Sequence, residues 1–269
     1  MEYVTLNNGV KMPLVGLGTW NLRGKECTNT VKQAIELGYR LIDTAQMYGN
    51  ENAVGKGIME SGISHEDVFV TTKLYRISNS YEKAQMAIDT SLINLGLDYI
   101  DLLLLHEPYQ QGTMMYRALE EAYAQGKVRA IGISNYDEQH YSAFIKRCQV
   151  LPAVNQVEAH IYYQKSEFQK LLEHKGTHMQ AWAPLAQGIR PVAQHPDLVL
   201  IGHRYGKTAA QIALRFLVQR GISIIPKSKH ETRLKDNLDI FDFTLSTDEM
   251  QIIQRLDQNE TLFPWTKEF

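Results

Sequence analysis

Ile100-Asp-Leu-Leu-Leu-Leu-His106 carries an unbroken apolar run at residues 102–105 and closes on a histidine. A strand with one wet face alternates apolar and polar residues. A run without alternation belongs to a strand covered on both faces, as in a parallel sheet flanked by helices. Upstream, Val68-Phe-Val-Thr-Thr-Lys73 reads the same way and closes on a lysine. Before it, Tyr39-Arg-Leu-Ile-Asp43 closes on a carboxylate and breaks into Thr-Ala-Gln-Met-Tyr48-Gly-Asn-Glu51. An acid, a phenol, an ammonium and an imidazole thus follow the ends of consecutive strand candidates. A carboxylate at the end of an apolar strand is costly unless paired, and the next strand offers the lysine.

The pattern extends both ways. Strand candidates lie at 14–18, 41–43, 68–72, 102–105, 128–133, 153–157, 179–182 and 222–225. Helical periodicity fills the intervals, with Val31, Ala34, Ile35 and Leu37 on one face of the first helix and Gly38 as its C-terminal stop. Further helices are predicted near 51–61, 80–95, 114–124, 137–148, 166–174, 208–218 and 231–238, with a longer loop before residue 208. Ser246 and Glu249 form a capping-box pattern that opens one more helix. At the N-terminus, residues 3–6 and 10–12 flank Asn7-Asn8-Gly9, the signature of a β-hairpin.

Eight strand–helix units without a linker or composition shift predict an α/β fold. The expectation is a single (β/α)₈ TIM barrel over residues 1–269, with an N-terminal β-hairpin and an extra C-terminal helix. A doubly wound sheet is the competing architecture. It wants a phosphate-loop fingerprint, and Gly16-Leu-Gly18 lacks the third glycine.

Composition narrows the function classes. The 269 residues carry a formal net charge of -2, which gives no electrostatic case for nucleic acid or anionic membrane. No apolar run reaches the roughly 18 residues of a membrane span, and the N-terminus lacks signal-peptide features, so a cytoplasmic protein is expected. Cys27 and Cys148 have no metal or disulfide-framework spacing.

In a barrel of this kind the active site lies at the C-terminal strand ends. Read in order, those ends carry Trp20, Asp43 with Tyr48, Lys73, His106, Ser134-Asn135, Gln156, Trp182 and Lys227-Ser228. Each residue alone has an ordinary structural explanation. Their recurrence at the same end of every strand does not.

The pattern resembles the aldo-keto reductase family along essentially the whole chain, and is similar to the bacterial 2,5-diketo-gluconate and methylglyoxal reductases. The matching residues are Gly16-Leu-Gly-Thr-Trp20, the Asp43–Glu51 motif, Thr72-Lys73, Leu105-His106-Glu-Pro108, Gly132-Ile-Ser-Asn135, Gln156, and Ile225-Pro-Lys-Ser228 with Arg233 and Asn237. The resemblance implies NADPH-dependent reduction of aldehydes or ketones, with Tyr48, Asp43, Lys73 and His106 as the catalytic tetrad. It further implies Ser134, Asn135 and Gln156 around the nicotinamide carboxamide, and Trp182 against the ring. Lys227, Ser228 and Arg233 would meet the 2′-phosphate and Asn237 the adenine. Trp20, Tyr75 and Glu107 would border the substrate. A small carbonyl compound is the implied partner and a monomer the implied state.

This chain departs from the family in four places. Glu107 and Tyr75 stand where tryptophan is common, Asp236 replaces the usual glutamate, and the tail after Asp257 is short, which predicts a reduced substrate loop and an open pocket. Rival readings remain. A short-chain dehydrogenase would need Tyr-x-x-x-Lys on a helix, and the one such spacing, Tyr123-Ala-Gln-Gly-Lys127, is broken by Gly126 beyond the end of the predicted helix. A metal-dependent TIM-barrel hydrolase would need ligands such as His174 and His178, which flank Gly176 and share no helical face. An NADPH-binding regulatory subunit would not need an intact tetrad.

Overall fold

The computed structural model describes residues 1–268. Eight parallel strands follow one another around a ring: β3 (Leu17–Gly18), β4 (Leu41–Asp43), β5 (Phe69–Leu74), β6 (Ile100–Leu105), β7 (Val128–Ser134), β8 (Val154–Glu158), β9 (His178–Trp182) and β10 (Ser223–Ile224). Each pairs in parallel with its sequence neighbour. The ring closes where Val15 bridges Ile224, with Gly16 N–H donating to Ile224 O and Ile224 N–H to Leu14 O, both at 2.8 Å. Closure brings Gly18 so near the last strand that a Cβ there would stand 2.7 Å from Ile225 O, so only glycine fits.

β6 is buried at all six positions, as its continuous apolar run requires. The hairpin, β1 (Tyr3–Thr5) with β2 (Lys11–Pro13), sits across the N-terminal end of the barrel. Leu6 and Met12 join Leu41, Phe69, Leu102, Leu104 and Val154 in one apolar cluster, and Asn7 and Asn8 donate to the Pro152 and Arg129 carbonyls. The larger core lies between the strands and the surrounding helices.

Those helices are α1 (Gly24–Glu36), α2 (Glu51–Glu60), α3 (Tyr81–Leu95), α4 (Gly112–Ala124), α5 (Glu138–Phe144), α6 (Ser166–Lys175), α7 (Pro196–Tyr205), α8 (Ala209–Gln219), α9 (Glu231–Leu238) and α10 (Thr247–Gln254). Ser80 and Asp137 cap α3 and α5, while Thr208 with Gln211 and Ser246 with Glu249 complete two capping boxes. The barrel, hairpin and extra C-terminal helix are as expected. α7 is a departure, since the stretch before residue 208 reads as loop. Its signals are Pro196 in the first turn and Gly206, with φ +64°, at the end. Its start lacks a side-chain cap, so the usual polar marker is missing. No helix among the described residues is long and apolar enough to cross a membrane.

Candidate active site

β4, β5 and β6 release Asp43, Lys73 and His106 at the same end of the barrel, and the chain after β4 turns back to set Tyr48 among them. That turn, Gln46–Tyr48, is held by its own motif residues. Thr44 Oγ1 donates to Asn50 Oδ1 at 2.6 Å, and Asn50 Nδ2 donates to the Thr19 and Leu22 carbonyls. Gln46 donates to Ala87 O and Ser91 Oγ and accepts from Tyr75 N–H. Glu51 accepts from Thr72 and Asn94, and Gly49 leaves the turn at φ +61°, a left-handed conformation that favours glycine. Thr44, Gln46, Asn50 and Glu51 thus serve as scaffold. Sequence reasoning quoted the motif without assigning them that work.

Lys73 Nζ donates to Asp43 Oδ1 at 2.6 Å, to Thr44 O at 2.9 Å and to Tyr48 Oη at 3.4 Å. Lys73 is 0% and Asp43 1% exposed. Burial is the largest influence on Lys73 and works against its charge, yet Asp43 and Tyr48 together outweigh it and hold the Lys73 pKa above its ordinary value. Burial pushes the Tyr48 phenol up, with Lys73 acting in the opposite direction. His106 is lowered well below its ordinary value, first by burial and then by Lys73, so its imidazole is neutral. Neither ring nitrogen of His106 has a hydrogen-bond partner among the described residues, and Nδ1 is fully buried. Its ring meets Tyr48 edge-on at 5.6 Å, and the Trp20 ring packs 4.9 Å from that of Tyr48.

These groups open into a cavity of about 1090 Å³. Trp20, Asp43, Tyr48, His106 and Glu107 line one part of it, and Ser134, Asn135, Gln156 and Trp182 continue the wall. Asn135, at φ +63°, donates to His106 O at 3.1 Å and accepts from Trp182 Nε1 at 2.8 Å. Gln156 donates to Asp43 Oδ2 and Gln180 Oε1, both at 2.7 Å, which leaves its own carbonyl oxygen without a partner among the described residues. Tyr75 is not part of the cavity wall; it reaches the site only through its ring, 6.4 Å from His106.

Lys227, Ser228, Arg233 and Asn237 line the far end. Neighbouring cations there are neutralised: Lys229 pairs with Glu26 at 2.8 Å and Lys235 with Glu231 at 2.6 Å. Lys227 and Arg233 are exposed and have no ion-pair partner among the described residues. Two unpaired cations beside the start of α9 suit a phosphate dianion, and the amide and hydroxyl groups along the wall suit a polar planar ring. The residues present fit a nicotinamide dinucleotide phosphate.

The segment between β9 and α7 also walls the cavity through Leu185, Gln187 and Arg190, and the C-terminal tail does so through Phe263 and Trp265. Both were missed in the sequence. The open mouth expected from the short tail is instead bounded by aromatic rings, because the tail folds back onto Trp182. Among the described residues no group of three or more His, Cys, Asp or Glu side chains could hold a metal ion. His178 bonds Ser223 Oγ at 3.0 Å.

A closed (β/α)₈ barrel with a buried proton-handling cluster at its C-terminal mouth is the frame of one enzyme class. The chain belongs to the aldo/keto reductase family, whose profile matches residues 14–258. Within it the protein is an NADPH-dependent oxidoreductase of carbonyl compounds. It is 42% identical over 265 residues to the glyoxal reductase of Bacillus subtilis, covering 98% of this chain and 95% of that one. The crystal structure of MGS-M4, an aldo-keto reductase from a Medee basin deep-sea metagenome library, superposes with a TM-score of 0.94 at 41% identity, over 97% of each chain. A mutant of Gox0644 in complex with NADPH gives a TM-score of 0.91 at 34% identity, over 96% of this chain and 94% of that one.

Proposed function

We propose that residues 1–269 act as one catalytic unit that reduces small neutral aldehydes and α-dicarbonyls, with Tyr48 as proton donor. The observation that carries this reading is the chain Asp43–Lys73–Tyr48, joined at 2.6 and 3.4 Å beside a neutral His106. NADPH, when bound, supplies the hydride. Ser134, Asn135 and Gln156 hold its carboxamide, Trp182 its ring, Lys227, Ser228 and Arg233 its 2′-phosphate, and Asn237 its adenine.

The chain's own residues handle the proton. Burial keeps Tyr48 protonated in the resting site, so the phenol is present as a donor. As the carbonyl oxygen gains charge, the phenol gives up its proton and the Lys73 ammonium stabilises the phenolate left behind. Asp43 keeps Lys73 charged and fixes its direction. His106, a neutral donor, orients the oxygen by a hydrogen bond that strengthens as negative charge develops. Trp20 and Glu107 border the reacting carbonyl.

The likeness to a glyoxal reductase supports a dicarbonyl as one substrate. The direct test follows NADPH absorbance at fixed enzyme against glyoxal, methylglyoxal, a nitrobenzaldehyde and a keto-sugar acid. Turnover of the neutral compounds is expected, and absence of turnover on all four would sink the reading.

A further inference from the structure

Glu158 ends β8 directly beside Trp182 in the parallel register, and it is 2% exposed. A carboxylate shut away from water needs donors. Two come from the C-terminal tail: Thr261 Oγ1 donates to Glu158 Oε2, and Leu262 N–H donates to Oε1 at 2.9 Å. A third comes from fully buried His160. Tyr162 N–H donates to His160 Nδ1 at 3.3 Å, which places the ring proton on Nε2, 2.9 Å from Glu158 Oε1.

The anchor is passed on to the aromatic wall. Thr261 Oγ1 also accepts from Phe263 N–H at 2.9 Å, and Thr266 N–H and Oγ1 both donate to Phe263 O. Phe263 then meets Trp182 edge-on at 4.9 Å, while Trp265 stacks on Trp182 at 5.8 Å with 14° between the planes. All three rings line the cavity. Upstream, Gln258 N–H is tied separately to Tyr162 O at 2.9 Å, so loss of the Glu158 contacts would free the tail only beyond that point.

We propose that Glu158 is a positioning residue for carbonyl reduction, whose carboxylate seats the C-terminal tail so that Phe263 and Trp265 stand against Trp182 and wall the substrate end of the cavity. Glu158 touches neither cofactor nor substrate in this role; it acts through Thr261 and Leu262. The proposal rests on the cavity being the carbonyl site, but the seating itself is measurable without turnover. Trp182 and Trp265 are the one tryptophan pair in ring contact among the described residues, Trp20 packing on Tyr48 instead. A stacked indole pair gives an exciton couplet in far-ultraviolet circular dichroism, and Trp265→Phe supplies the spectrum without it.

The test compares Glu158→Gln and Thr261→Val with Thr261→Ser, which keeps the hydroxyl. The glutamine and valine variants are expected to lose the couplet and the serine variant to keep it. KM for a nitrobenzaldehyde should rise about three- to ten-fold in the first two, with kcat within about two-fold, as for a lost aromatic contact rather than a lost reacting group. Where Glu158→Gln fails to give a cooperative unfolding transition, Thr261→Val carries the test alone. An intact couplet with unchanged KM in Thr261→Val overturns the proposal, as does a collapse of kcat with the couplet intact. A wild-type protein that reduces no carbonyl would remove the functional reading, while the couplet would still decide whether Glu158 seats the tail.

Discussion

Lys73 Nζ and Asp43 Oδ1 stand 2.6 Å apart with both side chains closed off from solvent, and Tyr48 Oη lies 3.4 Å from the same ammonium. Lys73 therefore joins a charge pair that the fold must satisfy to the phenol proposed as proton donor. Removing either partner leaves a lone charge in a low-dielectric site. Lys73→Met is expected to destabilise the fold by about 3–5 kcal/mol, and the double variant Asp43→Asn with Lys73→Met by clearly less than the sum of the singles. Urea titrations of all three decide it. Simple additivity would mean that the pair is not coupled.

Tyr48→Phe removes the proposed proton donor and little else, since the phenol's partner is Lys73. The expected loss in kcat is roughly 10²–10⁴-fold, the usual worth of a positioned general acid. NADPH affinity, read by fluorescence quenching, should be nearly unchanged. A variant that keeps most of its turnover would assign the proton elsewhere.

His106 makes stability depend on pH. Its pKa is depressed in the fold by burial and by Lys73, so between the folded value and its ordinary value the unfolded chain binds more protons. Stability from this group is fully present above its ordinary pKa of about 6.5 and is lost as pH falls toward the folded value, at up to about 1.4 kcal/mol per pH unit. His106→Gln should show a flatter acid limb in denaturant midpoints. Identical limbs for the two proteins would show that the imidazole is not held neutral.

Arg233 and Lys227 line the far end of the cavity with no ion-pair partner among the described residues. Arg233→Ala should weaken NADPH by about 1.5–3 kcal/mol, the range for hydrogen bonds to a charged group, with a much smaller effect on NADH. Titration calorimetry with both cofactors separates the cases. Equal weakening would place Arg233 away from the 2′-phosphate.

Glu107 lines the cavity next to His106 and is half-buried; burial raises its pKa, with Tyr109 and then Arg76 acting in the opposite direction. Once ionised it should repel a substrate carboxylate. At an effective dielectric of about 20, like charges about 6 Å apart repel by about 2–3 kcal/mol, less in salt. Glu107→Gln should lower KM for a keto acid and barely move it for a neutral aldehyde, with the difference shrinking as ionic strength rises. Parallel shifts for both substrates would leave Glu107 without a part in selection.

The barrel was legible in the sequence because its signals are local. Strands buried on both faces, such as β6, need continuous apolar runs, and helix starts need caps such as Ser80 and Ser246. The grouping of Asp43, Lys73 and His106 was legible for a related reason: a parallel barrel delivers successive strand ends to one mouth, so order along the chain predicts proximity in space. What the sequence could not determine depends on contacts between distant segments. Thr261 meets Glu158 across 103 residues and Gln156 meets Asp43 across 113, and no local pattern marks either pair. Hence the short tail reads as an open mouth, while the folded chain turns it into an aromatic wall on Trp182. The protonation of Tyr48 likewise belongs to the tertiary structure. The sequence names the lysine beside the phenol, but desolvation, which outweighs that lysine in the resting site, is set by everything packed around both.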